Sequence, residues 1–130
     1  MIQSFQIVDN LPFVEIRVSF KGNKITLINT LIDTGSSGTI LNADIVREIG
    51  IRPEPDDLIG SIRGVGGMEF VYIKQLEWIQ LGDSLIKDFK VDIGDMDYGL
   101  AIDGILGMDF WLRTKLAIDF DTLQIKQYTA

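Results

Sequence analysis

In the stretch Thr30-Leu31-Ile32-Asp33-Thr34-Gly35-Ser36-Ser37-Gly38-Thr39-Ile40-Leu41 the only ionisable side chain is Asp33, at the end of an apolar run and followed at once by small residues. A strand ending in Leu31 and Ile32 heads into a core, where burying even an uncharged polar group without a partner costs roughly 2–7 kcal/mol. The carboxylate therefore needs a reason. The chain has no cysteine and no histidine, so a thiolate nucleophile, an imidazole base and the usual zinc ligand sets are excluded. Carboxylates, hydroxyls, Lys and Tyr are left to do chemistry. Two carboxylates that share a proton can hydrolyse a peptide bond without metal, thiol or imidazole. The ionised one takes a proton from the attacking water, and the protonated one donates a hydrogen bond to the carbonyl oxygen that is gaining charge. Like charges about 3 Å apart cannot both ionise, so proximity alone divides the labour.

The bulk properties narrow the setting. At 130 residues the chain is expected to form one domain, 1–130, long enough to bury an independent core. A formal net charge of −7 argues against nucleic acid, whose phosphates are bound mostly by Lys and Arg. No segment approaches the roughly 20 apolar residues of a membrane helix, and Met1-Ile2-Gln3-Ser4-Phe5 lacks the basic start of a secretory signal. A cytoplasmic protein that touches no membrane is the expectation.

The elements that must position Asp33 read as short period-two segments separated by glycine and proline, which makes an all-β protein. Residues 13–20 and 25–32 form a hairpin signature whose second strand delivers Asp33. Residues 43–49 read as a short helix with Asn42 as N-cap and Gly50 beyond its end. Strand-like arms at 58–63 and 68–73 flank Gly64-Val65-Gly66-Gly67, a tip expected to turn tightly and move. Strands at 76–81 and 85–93 follow, then an acidic loop over 94–99 that leads into the segment 100–107, a brief helix over 108–113, and a closing hairpin of 115–120 with 123–128.

Three segments carry a family likeness. Leu31-Ile32-Asp33-Thr34-Gly35 with Ser36-Ser37-Gly38 resembles the active-site segment of aspartic proteases. Arg63-Gly64-Val65-Gly66-Gly67-Met68 resembles the flap tip of retroviral proteases. Ile105-Leu106-Gly107-Met108-Asp109-Phe110, followed by Ala117-Ile118-Asp119, resembles the retropepsin-like domain of the Ddi proteins. They stand in family order and, with the strands between, span about Val14 to Tyr128. The resemblance implies a small closed retropepsin-like β-barrel with a flap hairpin and one or two short helices. It implies Asp33 as the catalytic carboxylate, Thr34 as a hydroxyl bracing the paired loops across a dimer, and Gly35 as the point where backbone approaches the dyad and the substrate. It further implies that Val65, Gly66 and Gly67 lie over a bound peptide, and that Ile105, Leu106 and Gly107 pack beneath the catalytic loop.

The chain holds one Asp-Thr-Gly segment, since Asp103-Gly104 lacks the intervening hydroxyl residue. A dyad then requires a second copy, related by a two-fold axis between the Asp33 side chains. In retroviral enzymes the chain ends join in a shared sheet, but 123–128 could equally pair back on 115–120. Rival readings of single segments are weaker. Asp92, Asp95, Asp97 and Asp103 miss the EF-hand spacing, the glycine tip lacks the phosphate-loop pattern, and an aspartyl phosphatase would need an acid where Gly35 stands. No metal and no cofactor is expected. The expected function is an aspartic endopeptidase acting as a homodimer on peptide or protein substrates. The alternative is a catalytically weak or inactive peptide-binding or dimerisation module with the same fold.

Overall fold

The computed structural model describes residues 2–64, 67–96, 99 and 101–127. Two short strands that patterning did not single out, β1 (Ile2–Ser4) and β2 (Gln6–Val8), open the chain. Alternation of Val14, Ile16 and Val18 then buries one face of β3 (Leu11–Phe20), and the two-residue turn Lys21-Gly22 returns the chain as β4 (Asn23–Ile32). Both turn residues have positive φ, 47° and 83°, the geometry whose twist matches that of flanking strands.

Past the Asp33 segment comes an unforeseen three-residue strand, β5 (Ile40–Asn42). Its last residue caps α1 (Ala43–Val46), the Asn42 side-chain oxygen accepting from the Asp44 amide at 3.0 Å. The expected helix over 43–49 exists in two parts, because a 3-10 turn (Arg47–Ile49) finishes it before Gly50 stops the chain at φ 87°. Next come β6 (Ile59–Gly64) and β7 (Gly67–Leu81). The expected strands at 68–73 and 76–81 are one fifteen-residue element, because Lys74 and Gln75 continue the ladder opposite Val91 and Lys90. After β8 (Ser84–Gly94) and β9 (Gly104–Leu106), α2 (Met108–Thr114) leads to the closing hairpin of β10 (Leu116–Asp119) and β11 (Gln124–Gln127). Asp97 and Tyr128, both named in the sequence reading, lie outside the described residues.

The large sheet runs β2-β3-β4-β9-β5-β8-β7-β6, and β3 also pairs with β7 through Arg17, Val18 and Ser19 opposite Gln80, Ile79 and Trp78. That extra pairing joins β3, β4, β9, β5, β8 and β7 into a closed circuit, the expected barrel, with β2 and β6 as flanges. A separate three-stranded sheet, β1-β11-β10, forms within the chain, so 123–128 does pair back on 115–120 as far as the described residues reach. The main core includes Val14, Ile16, Leu27, Leu76, Ile79 and Phe110, and a smaller cluster of Ile40, Val71, Met96, Ile102 and Ile105 packs against Phe13 and Leu31. No helix among the described residues is long and apolar enough to cross a membrane.

Candidate active site

Asp33 is held where β4 stops. Its amide donates to the Leu106 carbonyl at 3.1 Å, the same oxygen that takes the Trp111 indole N–H at 2.9 Å. This anchor follows from the parallel pairing of β4 with β9, Leu31 opposite Ile105 and Ile32 opposite Leu106. A second contact fixes the carboxyl itself: the Gly35 amide donates to Asp33 Oδ1 at 2.9 Å. A Cβ at position 35 would sit 3.2 Å from that oxygen, tight enough to push it. The Ser36 amide closes the turn onto the Asp33 carbonyl at 3.2 Å, and the Ser36 hydroxyl donates to the Gly38 carbonyl at 2.8 Å. Side chain, backbone and loop are thus set together.

The support beneath is as specific. The Met108 amide, in the first turn of α2, donates to the Ser36 carbonyl at 2.8 Å. Gly107 sits against the backbone of Gly38, and a Cβ there would overlap the Gly38 carbonyl and lie 2.9 Å from the Ser36 carbonyl oxygen. The buried Thr39 ends the loop by donating its hydroxyl to Asp109 Oδ1 at 2.7 Å and its amide to Oδ2 at 3.2 Å. Ile105, Leu106 and Gly107 are all buried below the loop, as expected. Sequence pattern alone assigns Thr39 and Asp109 no role in the site. The Met108-Asp109 step of the Ile-Leu-Gly motif was the available signal.

Of the expected site residues, Asp33 is partly exposed, and Thr34 and Gly35 are exposed beside it on the open side of the loop. Val65 and Gly66 lie outside the described residues, while Gly67 begins β7 at φ 110° and pairs with Gly64. Period two on β7 sets Val71 toward the smaller apolar cluster and puts Met68 and Phe70 on the other face, where they are 59% and 77% exposed.

The sequence matches a family model described as aspartyl protease over residues 16–110, which contains the Asp33 loop, β6, β7 and β9. The chain belongs to the aspartyl proteases. Its fold is retropepsin-like. A solved retropepsin-like aspartic protease from Rickettsia conorii superposes with a TM-score of 0.66 at 23% identity, covering 96% of this chain and 88% of that one. No curated protein matches the sequence.

In this aspartyl protease chain a cavity of about 220 Å³ is lined by Val8, Asp9, Leu11, Phe13, Asn29 and Ala101. Of these, Phe13 lies on β3 opposite Leu31, and Asn29 lies on β4 two residues before Leu31. Among the described residues no three acidic side chains converge in a way that could hold a metal ion.

Proposed function

We propose that this chain, residues 1–130 as one retropepsin-like domain, is an aspartic endopeptidase whose active form is a homodimer. The observation that carries the reading is the Asp33 carboxyl, set at a strand end by the Leu106 carbonyl and aligned by the Gly35 amide. A group so held needs no reorganisation when charge develops, which is where preorganised sites gain most of their rate.

Two copies about a two-fold axis bring one Asp33 from each chain into contact, and a single proton is shared between them. The ionised carboxylate removes a proton from water as the oxygen attacks the peptide carbonyl carbon. The protonated carboxyl donates to the carbonyl oxygen and stabilises the tetrahedral adduct. Collapse of that adduct breaks the C–N bond, and the proton taken from water passes to the departing amine. Thr34 braces the two loops across the axis, and Gly35 lets the peptide backbone approach. The β6–β7 hairpin acts as the flap, with Val65, Gly66 and Gly67 over the substrate and water excluded beneath them. Phe13, half-buried on the wall of the cavity described above, suits an apolar substrate side chain.

The test is incubation with a diverse peptide mixture from about pH 3 to 8, wild type beside Asp33→Asn, with cleavage read by mass spectrometry. Wild type should cleave in acid and Asp33→Asn should lose at least about 10²–10⁴-fold of the rate with fold and dimer intact. Equal turnover by both refutes the mechanism. Peptide binding by a wild type that cleaves nothing would favour the peptide-binding module instead.

A further inference from the structure

The hairpin of β6 and β7 is tied down at its root by a buried ammonium. β7 has β8 beside it from Leu81 back to Tyr72, and from Val71 to Gly67 it pairs with β6 alone among the described residues. β6 in turn ends the sheet. The hairpin therefore leaves the barrel at Tyr72, with Val71 still packed in the smaller apolar cluster. Lys74 sits two residues inside that point, opposite Val91, with 6% of its side chain exposed. Lysine is rarely so deeply buried unless it is paired.

Its partners lie on the way into β6. Ile51 is buried in the core, its amide donating to the Val46 carbonyl at 3.3 Å. One residue before β6 begins, the Leu58 carbonyl accepts from the Ile73 amide at 3.0 Å. Between these two anchors residues 52–56 are exposed. Glu54 and Asp57 close a turn on each other: the Asp57 amide donates to the Glu54 carbonyl at 3.0 Å, and the Glu54 amide donates to Asp57 Oδ2 at 2.7 Å. That turn reaches the barrel through Lys74, whose Nζ donates to Glu54 Oε1 at 2.7 Å and lies 3.0 Å from Asp57 Oδ2. Among the described residues no other hydrogen bond or ion pair joins 52–57 to the rest of the chain. Lys21, on the turn between β3 and β4, adds its charge to both carboxylates without pairing with either.

We propose that Lys74 is a positioning residue for the flap: by holding Glu54 and Asp57 it fixes where the chain enters β6, and the hairpin swings away from the barrel only when this tie opens. The effect on peptide binding rests on the peptidase reading above; the effect on the hairpin does not. The tie acts on the arm that covers a substrate and not on the Asp33 loop. Its loss therefore weakens binding more than the chemical step.

Amide hydrogen exchange at about pH 7 and steady-state cleavage test it, on wild type, Lys74→Met, Lys74→Arg and Glu54→Gln. In wild type the Ile73 amide, opened by the swing, should exchange faster than that of Ile79, which lies between β3 and β8 and waits for global unfolding. Lys74→Met should speed Ile73 exchange by at least about tenfold and raise KM by a similar factor with kcat little changed. Lys74→Arg, which keeps the charge, should restore most of both. Glu54 is 56% exposed, so Glu54→Gln leaves the core untouched; it should also speed Ile73 exchange, and it decides the point if Lys74→Met does not fold. A wild-type Ile73 amide as slow as that of Ile79, or one that neither Lys74→Met nor Glu54→Gln speeds, overturns the proposal. So does a Lys74→Met chain that raises KM no more than it lowers kcat. If wild type cleaves nothing, the peptidase reading fails while exchange still decides this one.

Discussion

A methyl group at Gly107 has nowhere to go. It would overlap the Gly38 carbonyl, and neither backbone can yield without moving the loop that carries Asp33. Gly107→Ala should therefore cost about 1–3 kcal/mol in urea unfolding and lower kcat beyond what the lost stability explains. Unchanged stability and rate would show that the loop does not depend on this contact. Asp33 stood out in the sequence because a lone carboxylate after an apolar run is anomalous locally, whereas Thr34 and Gly35 entered only with the family resemblance. The Thr39–Asp109 pair did not stand out, since its partners are 70 positions apart and nothing in the spacing of either predicts the meeting. The Leu106 carbonyl that anchors Asp33 was invisible for a similar reason, being a backbone atom that any residue would supply.

Elements with a local cause were readable, and those with a distant cause were not. Asn42 capping α1 and Gly50 ending the 3-10 turn follow from side-chain and backbone chemistry within a few residues. Asn42→Ala should remove the cap and also the hydrogen bond that the Asn42 side-chain NH2 donates to the Ile102 carbonyl at 3.0 Å, lowering stability by about 1–2 kcal/mol. By contrast β5 exists because Ile40 and Leu41 pair with β8 on one side and β9 on the other. Lys74 escaped notice too. It is buried on β7, and its ammonium bonds Glu54 at 2.7 Å and Asp57 at 3.0 Å, pinning the segment that leads into β6. Burial opposes its charge, but the two carboxylates outweigh that and hold it above the usual lysine value. The Lys74 hydrogen bond holds Glu54 below 4.5; burial opposes the lowering of Asp57, but Lys74 and the Glu54 amide still hold it below 3.8. The stability these carboxylates contribute is present above those values and lost as pH falls through the lowered ones. Lys74→Met should thus destabilise more at about pH 7 than at about pH 3, read as the gap between variant and wild-type melting temperatures. A gap that stays constant with pH would place the role of Lys74 in packing alone.

Closure of the barrel belongs to the whole molecule. The hairpin of β3 and β4 was evident from alternation, but the pairing of β3 with β7 joins residues some sixty positions apart, and no local pattern encodes it. The terminal strands are likewise settled by the whole chain: among the described residues β11 has β1 on one side and β10 on the other, which leaves β1 and β10 at the edges of that sheet. One chain carries one Asp-Thr-Gly segment, and the proposed chemistry needs two carboxylates. Light scattering at assay concentration should find a dimer, and a monomer that cleaves peptides would contradict the two-chain site. A mixing titration tests the central claim most directly, holding wild type fixed and adding Asp33→Asn chain in increasing excess while cleavage is followed. If each site takes one Asp33 from each of two subunits, added variant draws wild-type chains into dead heterodimers and the rate falls toward zero; a rate that depends on wild-type concentration alone, whatever the excess of variant, would contradict it.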